Sequence, residues 1–357
     1  MDDTWRTVAG RAMEALGVKA DELVLVRDGA GRPDVLLALL LAIEQRGATP
    51  LPEFVPPDYL QRLLRTAPVS ALATWDRHRL AWVQQADRLL VLAGAELDTA
   101  GVPAEALTAW RAATDRLGEV DVARRLPELV VAVPTAARAA ATALSLAELD
   151  TALIPALAAS AADVHREIVR VRAAVEGGRT LTIRSGAGCE LRLALGERPW
   201  LDDDGIATTG DQARGTQVRN LPAGAVYTTV LEEETHGELH LPRAGTATNV
   251  TLRFADGRVT DVVGGTGGET VRAMLDGHTG EARRISHLGV GLNPHLRQPI
   301  GWTLVDEHRH GCLFIALGEN RYLGGENASS LNIDFVVPGA TLLVDTRVVV
   351  DAGIVTV

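Results

Sequence analysis

The chain reads as an α/β protein followed by a mainly β one, and two observations predict that order. In the first half, short apolar strand-like runs are separated by 10 to 15 residues of helical periodicity, which implies βαβ units and a parallel sheet covered on both faces. After Glu176-Gly177-Gly178 the helix formers give way to alternating apolar and polar runs with tight-turn signals. At 357 residues the chain is long for one hydrophobic core, so two domains are expected, 1–176 and 177–357, with Gly177-Gly178 as hinge or linker.

Taken in order, Trp5 to Leu16 has helical periodicity, Glu22 to Arg27 is a short apolar strand, and Pro33 to Gln45 resumes a helix after the turn opened by Gly31. Leu51 to Val55 is weakly strand-like, Asp58 to Thr66 helical, Arg88 to Leu92 a strand, Pro103 to Leu117 a helix, and Glu128 to Val133 a strand ending at Pro134. An alanine-rich stretch from Ala136 through Ala162 to Ala174 reads as two helices that close this Rossmann-like domain. Beyond it, Thr180 to Arg184, Glu190 to Ala194, Glu238 to Leu241 and Asn249 to Phe254 alternate as strands. Asp256-Gly257 supplies the positive φ angles of a hairpin turn within Thr251 to Val263, and a second hairpin is expected from Thr341 onward around Asp351-Ala352-Gly353. One helix is expected near Glu269 to Asp276.

Composition removes several functions. A net charge of −11 works against a nucleic-acid partner, which needs clustered Lys and Arg. Aliphatic runs such as Leu36 to Ile43 are too short to cross a bilayer. The acidic start Met1-Asp2-Asp3-Thr4 has no apolar segment of a secretory signal, so a cytoplasmic protein is expected. Cys189 and Cys312 have no CxxC spacing and read as free thiols.

The chemistry concentrates in Ile285-Ser286-His287-Leu288-Gly289-Val290-Gly291, Asp306-Glu307-His308-Arg309-His310-Gly311 and Asn332-Ile333-Asp334. Four of the nine histidines (His287, His295, His308, His310) fall in one stretch threaded between apolar strands, where imidazoles and carboxylates converge at strand ends. His308 and His310 are two apart and would share a face on an extended strand, with Asp306 and Glu307 as further oxygen ligands or tautomer-fixing partners. Gly289 and Gly291 would allow close approach of ligand or backbone to His287. Asp334 lies inside the apolar run Leu331 to Val337, where a carboxylate must be paired, hydrogen-bonded or metal-bound. The remaining histidines, Glu232-Glu233-Glu234 and the glycine cluster Gly264 to Gly268 read as surface, a solvated acidic loop and a strand-to-helix turn.

At these residues the chain resembles the 2,5-dihydroxypyridine 5,6-dioxygenase family, whose fold is that of thermophilic-type metallo-aminopeptidases. Ile285 to Pro294 looks like the family's histidine-bearing motif. Arg184 to Gly188 with Leu195-Gly196, and Asn220-Leu221-Pro222-Ala223-Gly224, resemble further segments of the superfamily, the latter its "LPAGE" motif. The resemblance covers most of residues 180 to 345 and implies an aminopeptidase-like fold. It departs from the aminopeptidases at Ala225, at Phe314 and at His287, which stand where a glutamate, a histidine and a glutamate are expected, so a two-metal peptidase site does not form. In the dioxygenases the histidine at His287 joins a His-x-Asp pair to hold non-haem Fe(II); here that pair is Asn332-Ile333-Asp334.

The resemblance carries over His287 and Asp334 as ligands of a mononuclear Fe(II) site but not the second histidine. His310 and His308, which have no match in the family's motif, are the nearest replacements, so the expected ligands are His287, Asp334 and one or both of His310 and His308. Asn332 is expected as a ligand or a supporting residue, and a non-ligand His308 or His310 as acid or base. Such a protein would be a homo-oligomeric, cytoplasmic oxygenase that uses O2 on a small heteroaromatic or amino-acid-derived substrate. The alternatives are a single-metal hydrolase and a metal-free binding protein.

Overall fold

The computed structural model describes residues 3–186 and 188–357, so Met1, Asp2 and Ala187, which the sequence reading touches at the chain start and in the Arg184–Gly188 segment, lie outside the described residues. The chain forms two compact units, residues 1–158 with 205–222, and residues 159–204 with 223–357.

The first unit runs α1 (Asp3–Leu16), β1 (Leu23–Asp28), α2 (Pro33–Gln45), β2 (Thr49–Phe54), α3 (Pro57–Thr66), α4 (Val69–Leu72), α5 (Arg79–Gln85), β3 (Arg88–Ala93), α6 (Ala104–Arg124), β4 (Glu128–Ala132), α7 (Ala136–Ala141) and α8 (Leu146–Leu157). α2 and α3 each start with a proline, whose fixed φ suits a first helical turn. α8 starts on a capping box in which Ser145 and Glu148 satisfy each other's backbone N–H. The four strands are parallel, as the alternation predicts, in the order β2-β1-β3-β4. Val24, Leu25 and Val26 of β1 are fully buried, as expected of a central strand covered on both faces. β2 carries Pro50 and Pro52 and stays at the edge, where a missing N–H costs no ladder bond.

The second unit begins with α9 (Ala161–Val175), β5 (Thr180–Ser185), β6 (Cys189–Ala194) and β7 (Leu201–Asp203). The chain then returns to the first unit for α10 (Thr209–Arg214) and β8 (Val218–Leu221), which pairs in parallel with β4 and becomes the fifth strand of that sheet. The second unit resumes with β9 (Ala225–Thr229), β10 (Leu231–Ala244), β11 (Ala247–Ala255), β12 (Arg258–Val263), α11 (Gly268–Asp276), β13 (Ile285–Gly291), α12 (Thr303–Asp306), β14 (Leu313–Gly318), a 3-10 turn at Arg321–Leu323, β15 (Asn332–Val337), β16 (Thr341–Val344), β17 (Arg347–Asp351) and β18 (Ile354–Val355). These strands form an eight-stranded sheet, β12-β11-β10-β6-β5-β16-β17-β18, and a five-stranded sheet, β15-β14-β13-β9-β7. Their facing sides share one core that includes Leu181, Leu239, Leu252, Leu288 and Ile315.

Four expectations change. The boundary is not at 176/177, because α9 packs Val164, Ile168, Val171 and Val175 into the second unit's core. The alanine-rich stretch makes three helices, since the turns at Thr142–Leu144 and Ala158–Ser160 interrupt it. The C-terminal segment is a three-stranded meander with a turn at Asp345 as well as at Ala352-Gly353. Glu232 to Glu234 lie within β10, with Glu232 buried. Among the described residues no helix is long and apolar enough to cross a membrane.

Candidate metal centre

The centre is built on β13, the middle strand of the five-stranded sheet, every residue of which is buried. Its register against β14 slips between Ile285 and Leu288, so Ser286 and His287 sit at an irregularity of the kind that re-aims a side chain. His287 Nε2 lies 3.1 Å from Asp334 Oδ1 on β15. The two residues singled out from sequence are thus brought together, and Asp334, a quarter exposed, is paired as its apolar surroundings require.

The other ring nitrogen fixes the chemistry of this contact. Ser286 Oγ donates to the Glu319 carbonyl at 2.9 Å and lies 2.9 Å from His287 Nδ1. With its proton committed to Glu319, the hydroxyl accepts from Nδ1–H, which leaves Nε2 with a lone pair aimed at a carboxylate oxygen. Asp334 Oδ1 has no other hydrogen-bond partner among the described residues. Two such acceptors this close repel each other, which favours a metal ion between or beside them.

Ser286 is itself held from behind. Its carbonyl accepts from Thr229 Oγ1 at 2.7 Å and from Asn320 Nδ2 at 3.1 Å. Asn320 Nδ2 also donates to Glu232 Oε1 at 2.8 Å, and Glu232 pairs with Arg198 at 3.2 Å. Asn327 Nδ2 donates to the Ile285 carbonyl at 2.7 Å. Glu232, read from sequence as solvated, is therefore a buried anchor of the strand that carries His287. Ser286, Asn320 and Asn327 were not singled out, because small polar residues carry no signal until their partners are known.

Aromatic rings close the flanks. Tyr227 and Phe314 meet the His287 ring edge-on at 6.2 and 6.1 Å between centroids. Both stand opposite Gly289, where a Cβ would lie 2.2 Å from Phe314 Cζ and 2.8 Å from Tyr227 Cβ. Gly289 thus makes room for the rings and not for a ligand, while Gly291 lets the backbone of Glu307 to Arg309 approach. Tyr322 accepts from Asn332 Nδ2 at 3.1 Å, and burial together with the Asp334 charge pushes its phenol well above the ordinary range, so it keeps its proton.

The 306–310 segment differs from expectation. α12 ends at Asp306 and the chain turns after it, with Arg309 bridged to Asn293, so His308 and His310 do not lie on an extended strand. His310 Nε2 lies 3.2 Å from Glu167 Oε2 on α9. Burial lowers the His310 pKa despite that contact. Asp306 is a loop fastener whose carboxylate accepts from the Ile300 and Gly301 N–H groups, both at 2.7 Å. His308 is buried with Nε2 3.3 Å from Glu307 Oε1 and Nδ1 3.8 Å from Asp203 Oδ2. Burial raises Glu307, as do the charges of Asp334 and Asp203. Burial opposes protonation of His308, but Glu307 and Asp203 outweigh it and raise its pKa. Among the described residues no three His, Cys, Asp or Glu side chains converge to hold an ion. Buried Cys312, its pKa pushed up to about 11, is the inert thiol expected.

The chain matches the 2,5-dihydroxypyridine 5,6-dioxygenase family over residues 104–357. It belongs to that family. A 2,5-dihydroxypyridine 5,6-dioxygenase of Pseudomonas putida is 24% identical over 212 residues, 54% of this chain, and the match spans 58% of that relative's length. Among solved structures, AmpT of Thermus thermophilus aligns with a TM-score of 0.76 at 19% identity, covering 99% of both chains. The 2,5-dihydroxypyridine dioxygenase of Pseudomonas putida aligns with a TM-score of 0.62 at 17% identity, covering 99% of this chain and 96% of its own. The fold is thus shared by this family and AmpT, as the sequence motifs imply.

Proposed function

We propose that the chain is a mononuclear metal-dependent oxygenase, an oxidoreductase that uses O2 on a small heteroaromatic substrate. The observation that carries this reading is the facing pair His287 Nε2 and Asp334 Oδ1, 3.1 Å apart, in a chain of the 2,5-dihydroxypyridine 5,6-dioxygenase family. The spacing fits adjacent ligands of one ion, since donors ~2.1 Å from a metal at right angles lie about 3 Å apart. Imidazole nitrogen with carboxylate oxygen is a donor set suited to Fe(II). Asn332 is two residues from Asp334 on β15 and so on the same face, and with its Nδ2 given to Tyr322 its amide oxygen is the third donor. When bound, Fe(II) supplies the Lewis acidity and one-electron chemistry that O2 needs to react with a closed-shell ring.

The chain's own residues do the rest. Ser286 holds His287 in the tautomer that presents a lone pair. Tyr322, kept protonated by burial, offers an O–H to a substrate oxygen. Tyr227 and Phe314 keep water from the imidazole. His308 and Glu307 retain a proton at a buried position and serve as the acid or base of the reaction. In the same reading the enzyme is cytoplasmic and homo-oligomeric.

The test is elemental analysis of anaerobically purified wild type beside His287→Ala and Asp334→Ala, with O2 uptake measured on 2,5-dihydroxypyridine. Near-stoichiometric iron lost in both variants, with substrate-dependent O2 uptake, is expected. Wild type that binds no added Fe(II), or binds it equally in the variants, overturns the reading.

A further inference from the structure

A cavity of about 560 Å3 in the first unit lies outside the C-terminal ends of its parallel strands. It is lined by the loop after β1 (Ala30 to Arg32), the segment after β2 (Phe54 to Arg62), Ala95 after β3 and Thr135 to Ala137 after β4. In the order β2-β1-β3-β4 the chain direction of connection reverses between β1 and β3, and such a switch point leaves a crevice between the flanking loops.

The walls are pinned. Fully buried Asp28 accepts from the Ala30 and Gly31 N–H groups at 3.1 and 2.8 Å. Arg32 is tied to Asp150 of α8 at 2.9 Å and to the Pro134 carbonyl at 3.1 Å, and it stacks over Trp5 at 4.9 Å. Beside these pinned walls stand exposed aromatic rings. Three of the four phenylalanines, Phe254, Phe314 and Phe335, are at most 6% exposed, whereas Phe54 is 58% exposed. Its ring meets that of Tyr59, itself 39% exposed, at 6.1 Å. Exposing two aromatic rings side by side costs burial energy that a core position would recover, and a rigid crevice with such rings at its rim is how a flat ligand is bound.

Charge narrows the ligand. Arg32 is neutralised by Asp34 and Asp150, but Arg62 is exposed and makes no ion pair among the described residues. Asp58, four residues earlier on α3, is the one carboxylate of the lining. The turn Asp28-Gly29-Ala30-Gly31 has the glycines of a phosphate-binding loop, yet Asp28 already takes the N–H groups of Ala30 and Gly31 that a phosphate would need. That loop is therefore closed to an anion, whereas Arg62 offers a planar guanidinium, which pairs well with a planar carboxylate.

We propose that this crevice is a binding site for a planar aromatic carboxylate of one or two rings. The ring lies against Phe54 and Tyr59 and the carboxylate against Arg62. No residue of the metal centre takes part.

The probe is 2-naphthoate, titrated by isothermal calorimetry against the full chain and its Phe54→Ala, Arg62→Gln and His287→Ala variants, with neutral 2-naphthalenemethanol as the uncharged comparison. Phe54 and Arg62 are exposed, so both substitutions leave the fold intact. Saturable binding that weakens tenfold or more in Phe54→Ala and Arg62→Gln, persists in His287→Ala and is tenfold weaker for the alcohol is the expected result. Absence of saturable binding, or indifference to Phe54 and Arg62, overturns the site. Loss in His287→Ala alone places the probe at the metal centre and overturns it equally.

Discussion

Replacing Ser286 by Ala tests how the imidazole is prepared for a metal. The hydroxyl makes two contacts of 2.9 Å, to His287 Nδ1 and to the Glu319 carbonyl, in a strand with every residue buried. Removing it strips a buried N–H and a carbonyl of their partner at once, which costs about 1–3 kcal/mol of stability. Its effect on the site is larger than that figure suggests. Without the acceptor at Nδ1, the neutral ring gains by moving its proton to Nε2, where Asp334 Oδ1 accepts it, and the lone pair meant for the ion disappears. Loss of such a supporting contact lowers metal affinity by about 10–100-fold. The tautomer is read by long-range 1H–15N correlation of metal-free protein, and affinity by Co(II) titration followed through its visible bands. The expected result is Nδ1–H in wild type, Nε2–H in the variant, and weaker Co(II) binding in the variant. Unchanged His287 nitrogen shifts together with affinity within about twofold would falsify the tautomer argument, whatever the variant's activity.

Three further outcomes follow from particular contacts. Asn332→His recreates the His-x-Asp pair of the family and is expected to tighten Co(II) binding at least tenfold; unchanged or weaker binding argues that Asn332 is not at the ion. Gly289→Ala drives a methyl into the Phe314 ring and is expected to cost about 1–3 kcal/mol in chemical denaturation, partly recovered by adding Phe314→Leu; a variant as stable as wild type contradicts the close packing. Glu128 on β4 is raised by burial, and further by Asp121, to about 7 from its ordinary 4.5. The folded protein then binds more protons than the unfolded chain between those values, so this group's stability contribution is full below pH 4.5 and lost as pH rises through 7. Its cost at pH 8 reaches about 3 kcal/mol, and Glu128→Gln is expected to stabilise the protein by up to that amount at pH 8 and much less at pH 5; an equal effect at both pH values contradicts the shift.

What the sequence determined by itself is what depends on neighbours along the chain. Helical and strand periods report which faces seek a core, so the parallel first half, the Asp256-Gly257 hairpin and α2 from Pro33 to Gln45 are legible without coordinates. Asp334 was legible for a related reason, because a carboxylate in an apolar run has a desolvation cost that demands a partner. The partner's identity was not. Only the tertiary structure set His287 against Asp334, sent His310 to Glu167, 143 residues earlier, and buried Glu232 under Arg198 and Asn320. It also carried β8 back to the first sheet after three strands of the second unit, a path no local period records. Hydrogen bonds and ion pairs are satisfied by whichever groups packing brings within about 3 Å, and that choice is made by the whole core at once.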